Sequence, residues 1–356
     1  MIAQLLKERN LPDVLGLGGA SKENWAAYRQ KLVEMLALNE FGVTPQKPDK
    51  VVGEVIKVEG GDAFAGKATQ WTLRIGFDTP QGFYSFPVIM VLPNAVKKAP
   101  VFVHIAFRPE VPNSYLPAEE IVDAGVGFVN IGYNDVTLDV DDGYASGIAA
   151  KYPRKEGDKT AWGKIGMWAF AASRVLDYLL TRDDVDADRV AVIGHSRLGK
   201  TALWCAAQDE RFCMAVSNDS GCTGAALSRG KVGERVARIN AAFPHWFSDA
   251  YKDYGDREDE MPFDQHFLLA AIAPRMLCVA SAEQDQWADP VSEFLSCCAA
   301  SPAYEMVCGS GFVGPDSIPS VPSEYMQGRI TYHVRPGNHF LSRYDWAQFL
   351  KYFNAN

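Results

Sequence analysis

The amino-acid sequence predicts an α/β protein: a doubly wound, mostly parallel sheet flanked by helices, with antiparallel strands at its opening. Three observations carry that prediction. After Pro100, short apolar runs recur at Val101–Ile105, Val126–Ile131, Val190–Ile193, Met214–Ser217 and Met276–Ala280. Strands buried on both faces of a parallel sheet read as such runs rather than as alternation. Helical stretches at about 117–123, 160–182, 197–209 and 290–299 separate them, and strands alternating with helices imply βαβ units. Earlier, Val51–Val58, Thr69–Phe77 and Gly82–Leu92 roughly alternate, the last two joined by the turn Pro80-Gln81, which is the pattern of antiparallel strands.

Each segment follows in order. Residues 1–45 read as a helical lead-in, with Trp25, Tyr28, Leu32, Met35 and Leu36 at helical spacing. Residues 46–95 hold the antiparallel opening strands, and 96–356 the core. No repeat, low-complexity tract or long linker interrupts them, so 1–356 is expected to be one domain. The chain is 47% hydrophobic and 22% charged, as suits a globular protein with a sizeable core. Its net charge of −9 comes without a long basic run, which argues against nucleic acid or an anionic membrane as partner. A small molecule or an oligosaccharide fits better, and the oligomeric state is not indicated.

No stretch approaches the ~20 apolar residues of a membrane span. Met1–Asn10 runs quickly into charges and lacks the pattern of a secretory leader, so the sequence as given predicts a cytoplasmic protein. The seven cysteines, at 205, 213, 222, 278, 297, 298 and 308, are odd in number and mostly sit in apolar runs. They read as reduced thiols. No Cys/His spacing suggests zinc, and neither a metal nor a cofactor is expected.

The decisive segment is Arg189-Val-Ala-Val-Ile-Gly194-His195-Ser196-Arg197-Leu198-Gly199-Lys200-Thr201-Ala-Leu-Trp204. A buried strand runs into a small-residue turn and then an amphipathic helix, as a nucleophile elbow requires. Such a turn lifts the serine Oγ above the sheet edge, and the helix start offers N–H groups to a developing oxyanion. Here the second glycine, Gly199, stands one place later than in G-x-S-x-G. The alternative is that Ser196 is simply a helix N-cap. Arg197 and Lys200 oppose the helix dipole in its first turn, and Lys200 projects from the same face as Ser196. Stability does not explain that pair, whereas a polar substrate beside the serine does.

In the α/β-hydrolase order the acid follows the serine, and the histidine lies on a loop after the last strand. His245 lies in the aromatic cluster Phe243–Phe247, His266 in an apolar helical stretch and His333 within the strand-like Arg329–Val334. His339, in Pro336-Gly-Asn-His-Phe340 ahead of a closing helix around Arg343–Tyr352, is the expected general base. Two acids compete to orient it. Asp285 follows the strand Met276–Ala280 and is favoured. Asp219, in Asn218-Asp-Ser-Gly221, either shares the work or forms a turn. Asp289 before Pro290 reads as a helix N-cap.

Gly-His-Ser-Arg-Leu-Gly-Lys at 194–200 resembles the glucuronoyl esterases of carbohydrate esterase family 15, whose elbow carries G-x-S-R-x-G-K. The resemblance continues through Asn218–Arg229, Gly233-Glu234, Phe243–Phe247, Pro262–His266, Ile272–Arg275, Trp287–Pro290 and Pro336–His339, over roughly 160–350. It implies an α/β-hydrolase fold and Ser-His-Asp hydrolysis of esters of (4-O-methyl-)glucuronic acid, as in xylan–lignin linkages. It further implies that Arg197 assists the oxyanion, that Lys200 contacts sugar hydroxyls, and that Glu234 and Trp287 hold the uronic acid ring, a core position being the alternative for Trp287. Two departures stand out. Asp219 is one methylene shorter than the family's usual glutamate, and Phe107–Tyr115 lacks the asparagine-containing loop expected there. An acetyl or feruloyl esterase on the same fold, or a carbohydrate-binding protein without catalysis, are the competing readings.

Overall fold

Among the described residues ten strands form one continuous sheet, and its order brings the candidate residues to one edge. The computed structural model describes residues 1–60 and 63–356. The strands are β1 (Val51–Glu59), β2 (Ala68–Thr79), β3 (Gly82–Pro93), β4 (Ala99–Ala106), β5 (Gly127–Gly132), β6 (Val185–His195), β7 (Met214–Asn218), β8 (Met276–Ala282), β9 (Ser323–Tyr325) and β10 (Ile330–Arg335). They lie in the order β1-β2-β3-β5-β4-β6-β7-β8-β10-β9. The first three strands are antiparallel and join the rest through an antiparallel β3–β5 pairing, whereas β5, β4, β6, β7, β8 and β10 run parallel. The chain steps from β4 outward to β5, then crosses back past β4 to β6. In open α/β sheets, ligands bind at the carboxyl ends of strands beside such a reversal, and Ser196 follows β6 directly.

Burial explains why the parallel strands read as unbroken apolar runs. All residues of β4, β5, β7 and β8 are buried. Within β4, Val101, Val103 and Ile105 join the core that includes helix Lys164–Leu179, while Phe102 joins the core on the opposite face with the closing helix Arg343–Ala355. Phe102 packs 5.5 Å from the Trp346 ring and 4.7 Å from that of Phe353. Truncating a phenylalanine so enclosed typically costs about 3–5 kcal/mol.

The lead-in forms helices Ile2–Glu8 and Trp25–Leu36, the second burying Trp25, Tyr28, Leu32 and Leu36. Three elements depart from expectation. The helix expected over 290–299 continues to Cys308 through Pro302, because burial of Ala303, Tyr304 and Val307 outweighs the hydrogen bond a proline forfeits. The helix expected over 160–182 is confined to Lys164–Leu179, and its expected first turn is spent on a crossing with Phe41 and Trp246. The three-residue edge strand β9 is too short to leave a periodic signal.

Candidate active site

The turn after β6 is strained where a nucleophile would stand. Ser196 has φ 57 and ψ −128 and makes no side-chain cap to its own helix, Arg197–Gln208. A non-glycine residue held there costs on the order of 1–3 kcal/mol and persists only where its surroundings enforce it. They do so here. Ser196 N–H bonds Asn218 O at 2.9 Å, and its carbonyl accepts from Gly199 N–H at 2.9 Å. A Cβ on Gly194 would lie 1.9 Å from the Leu198 carbonyl, and one on Gly199 would lie 3.0 Å from Ser220 Cβ. The displaced glycine is therefore the one that lets the helix start close against the turn after β7. The N-cap alternative for Ser196 falls, because its hydroxyl is not spent on the helix.

All eight residues singled out in the sequence line one pocket of about 340 Å³ at this edge: Ser196, Arg197, Lys200, Asp219, Glu234, Asp285, Trp287 and His339. His339 Nδ1 lies 2.5 Å from Asp285 Oδ2, and Asp285 Oδ1 also accepts from the Ala288 N–H at 3.2 Å. Burial alone would raise the Asp285 carboxyl, but the His339 ring and the Ala288 N–H hold it below its ordinary value. Asp219 makes no such bond to His339. It has φ 44, is almost completely enclosed, and its Oδ1 accepts from the Ala282 N–H at 2.6 Å. Burial, with the nearby charges of Glu293, Asp285 and Asp345, pushes its carboxyl well up. Ligand atoms of Asp219, Asp285 and His339 lie within 4.8 Å of one another. Of the three, Asp285 is committed to His339, whereas Asp219 Oδ1 is taken by the Ala282 N–H.

Cations and aromatic rings form the remaining walls. The buried Lys200 donates to Ser220 O at 2.5 Å and Cys222 O at 2.6 Å, leaving one of its three N–H bonds for a ligand. Burial pulls its ammonium below the ordinary value, against the attraction of Glu234. Arg197 is ion-paired with Asp139 and lies over Trp246, 4.7 Å from its ring centre, with Phe243 and Phe107 beyond. Asp139 also accepts from His245 at 2.9 Å and Trp246 at 2.6 Å. Burial opposes its charge, yet those donors and the Arg197 cation hold the carboxyl down at about 2. Trp287 stands 53% exposed at the lip, which removes its core alternative. Its loop is sewn to that of Glu234, whose N–H bonds Trp287 O at 3.1 Å, while Lys231 Nζ bonds Ala288 O at 2.8 Å.

The other histidines are otherwise engaged. His266 bonds Pro12 O at 3.0 Å and His333 bonds Asp345 at 2.9 Å. Several site residues escaped the sequence reading. The His195 ring lies 4.4 Å from that of His339, tilted by 40°, and burial with the neighbouring His339 lowers it to about 3. Glu293 accepts from Gly221 N–H at 2.9 Å and Ser281 Oγ at 2.5 Å, behind both acids. His195 was signalled by its place in the elbow and Trp246 by its aromatic cluster. Asp139, within Leu138-Asp-Val-Asp-Asp142, has only turn-like composition to announce it.

Residues 78–308 match the family described as glucuronyl esterase, fungi. The chain belongs to this glucuronoyl esterase family. Among relatives of the family, it is 44% identical over 238 residues to a carbohydrate esterase from an unknown prokaryotic organism, covering 66% of this chain and 54% of that protein. It is 26% identical over 312 residues to the 4-O-methyl-glucuronoyl methylesterase of Hypocrea jecorina, covering 84% and 61%. The chain thus spans about half to three-fifths of the length of these curated relatives. The solved glucuronoyl esterase from Solibacter usitatus superposes with a TM-score of 0.89 at 37% identity, over 97% of each chain. One from Teredinibacter turnerae gives 0.87 at 30% identity, over 97% of this chain and 89% of that one. The α/β-hydrolase fold expected from the sequence is the fold of this chain.

Proposed function

We propose that the chain is a serine esterase that hydrolyses esters of (4-O-methyl-)glucuronic acid, including those joining xylan to lignin alcohols or derived oligosaccharides. The observation that carries this reading is the strained Ser196 facing the same pocket as a His339–Asp285 pair closed at 2.5 Å. The uncommitted third N–H of Lys200 and the exposed Trp287 ring support a sugar acid as ligand, and the named relatives support the uronate. His339 takes the Ser196 proton as Oγ attacks the ester carbonyl, and Asp285 holds the imidazole tautomer and balances the imidazolium. Arg197 and backbone N–H groups at the helix start receive the oxyanion, each donor of this kind being worth about 2.7–4 kcal/mol. His339 then protonates the departing alcohol, and water, activated by the same histidine, releases the glucuronate and restores Ser196. Asp139 fixes the Arg197 guanidinium beside the carbonyl. Seven unpaired thiols support action in a reducing compartment, on short uronate esters taken into the cell.

Hydrolysis of benzyl glucuronate beside p-nitrophenyl acetate, by wild type and Ser196→Ala, tests the proposal. A preference for the glucuronate ester that vanishes in Ser196→Ala upholds it. Activity confined to the acetate discards the uronate pocket, and full activity in Ser196→Ala discards the nucleophile.

A further inference from the structure

The base sits on a five-residue loop, and one side chain at its root organises that loop. Arg335 ends β10, and its guanidinium turns into the loop that follows. Nη1 donates to Pro336 O at 3.2 Å, while Nη2 donates to Asn338 O at 3.3 Å and to Phe340 O. Three carbonyls flanking His339 therefore converge on one cation. On its other edge, Nε bonds both Asp345 oxygens at 3.0 and 2.8 Å. Asp345 is itself fixed by His333 and by the Ser342 capping box of the closing helix. Nη2 also lies 3.7 Å from Asp219 Oδ2, an oxygen with no hydrogen-bond partner. The Arg335 main chain adds to this, since Glu283 N–H bonds Arg335 O at 2.9 Å and Gln284 N–H bonds Gly337 O at 3.0 Å. The loop bearing Asp285 is thereby registered against the loop bearing His339.

We propose that Arg335 is the positioning residue of the general base. Its planar fork gives the 336–340 loop the shape that aims His339 at Asp285 and Ser196, and its charge keeps Asp219 on the far side of the His339–Asp285 pair. This rests on the reading of His339 as base. The task needs a guanidinium, because a single ammonium cannot reach Asp345 and three loop carbonyls in their fixed directions. A misplaced catalytic group costs on the order of 100-fold per ångström, so a loop built around the wrong cation loses turnover before it loses binding.

The test is Arg335→Lys in the full chain, read by kcat and KM on benzyl glucuronate, fluorophosphonate labelling rate, and the downfield proton resonance of the His339–Asp285 hydrogen bond. The expected result is a fall in kcat of about 100-fold, a matching fall in labelling, little change in KM and a weakened resonance. A folded variant with wild-type kcat and resonance overturns the proposal, as does one that loses only melting temperature. Gly337→Ala approaches the same contact from the loop, since the added Cβ would lie 3.2 Å from Arg335 Nη1 at a φ of +109. It should give the same signature and be non-additive with Arg335→Lys. If the lysine variant does not fold, unchanged kcat in Gly337→Ala overturns the proposal instead. His339→Ala separates the layers: wild-type labelling there defeats the assignment of the base, whereas an inert His339→Ala beside a fully active Arg335→Lys defeats only the role of Arg335.

Discussion

Asp219 and Asp285 both follow the ends of neighbouring parallel strands, β7 and β8, yet their surroundings give them opposite chemistry. Asp285 leans toward the pocket and faces an imidazole and one N–H, which together overcome its burial and hold it ionised. Asp219 turns through a positive φ onto the Ala282 N–H, among three other acids, and its carboxyl is driven up. Arg335 tempers this from 3.7 Å without a hydrogen bond. Residue type and strand end are shared. Asp219, the first residue past β7, turns away through its positive φ, whereas Asp285 stands two residues further along its loop and meets the base.

The largest effect that could break this comparison lies at Asp285. Asp285→Asn should lower kcat by about 10⁴-fold, as expected when the base is held in the wrong tautomer, with melting temperature nearly kept. A loss no larger than that of Asp219→Asn would reverse the two assignments. Asp219→Asn should leave kcat close to wild type and raise the melting temperature at pH 8. Folding raises this carboxyl, so ionisation above its ordinary range costs stability that an amide does not lose. A lower melting temperature with collapsed activity would make Asp219 a working acid. Glu293 behind them gives the smallest effect. Burial raises it from 4.5 to about 7, so the folded chain keeps a proton that the unfolded chain has released between those values. Stability therefore falls as pH rises through that window, and Glu293→Gln should gain on the order of 1–3 kcal/mol at pH 8 and nothing near pH 4. Denaturant midpoints across pH check the slope, and a pH-independent difference would assign the effect to packing.

Much of this was legible because it is local. The run into Gly194-His-Ser196, the helix behind it, and acid and histidine just beyond later strands are short-range patterns, and they led to Ser196, Asp285 and His339. The displaced Gly199 needed the structure, since its reason is a turn about 20 residues away at Ser220. Asp139 reaches Arg197 and His245 across 58 and 106 residues, and no periodicity encodes such a pairing. Arg335 was not singled out in the sequence, because its work is done on backbone carbonyls, which carry no residue identity. The end of the helix begun at Pro290 was missed for a different reason, since it runs on through Pro302 to Cys308 on the tertiary burial of Ala303, Tyr304 and Val307.

The stitching between the segments 231–234 and 287–289 has a consequence for how such a pocket can change. Lys231 clasps the Trp287–Ala288 backbone, Asp289 takes the Val232 N–H at 2.9 Å, and Gly233 packs where a Cβ would strike the Gln286 and Trp287 carbonyls at 2.5 Å. Glu234 and Trp287 are thus carried by one cassette rather than by two independent loops. Exchanging either segment alone with a relative would tear the seam, whereas exchanging both together would move a matched pair. Variation in ligand preference should accordingly be inherited in this piece as a block, while the elbow beneath it stays unchanged.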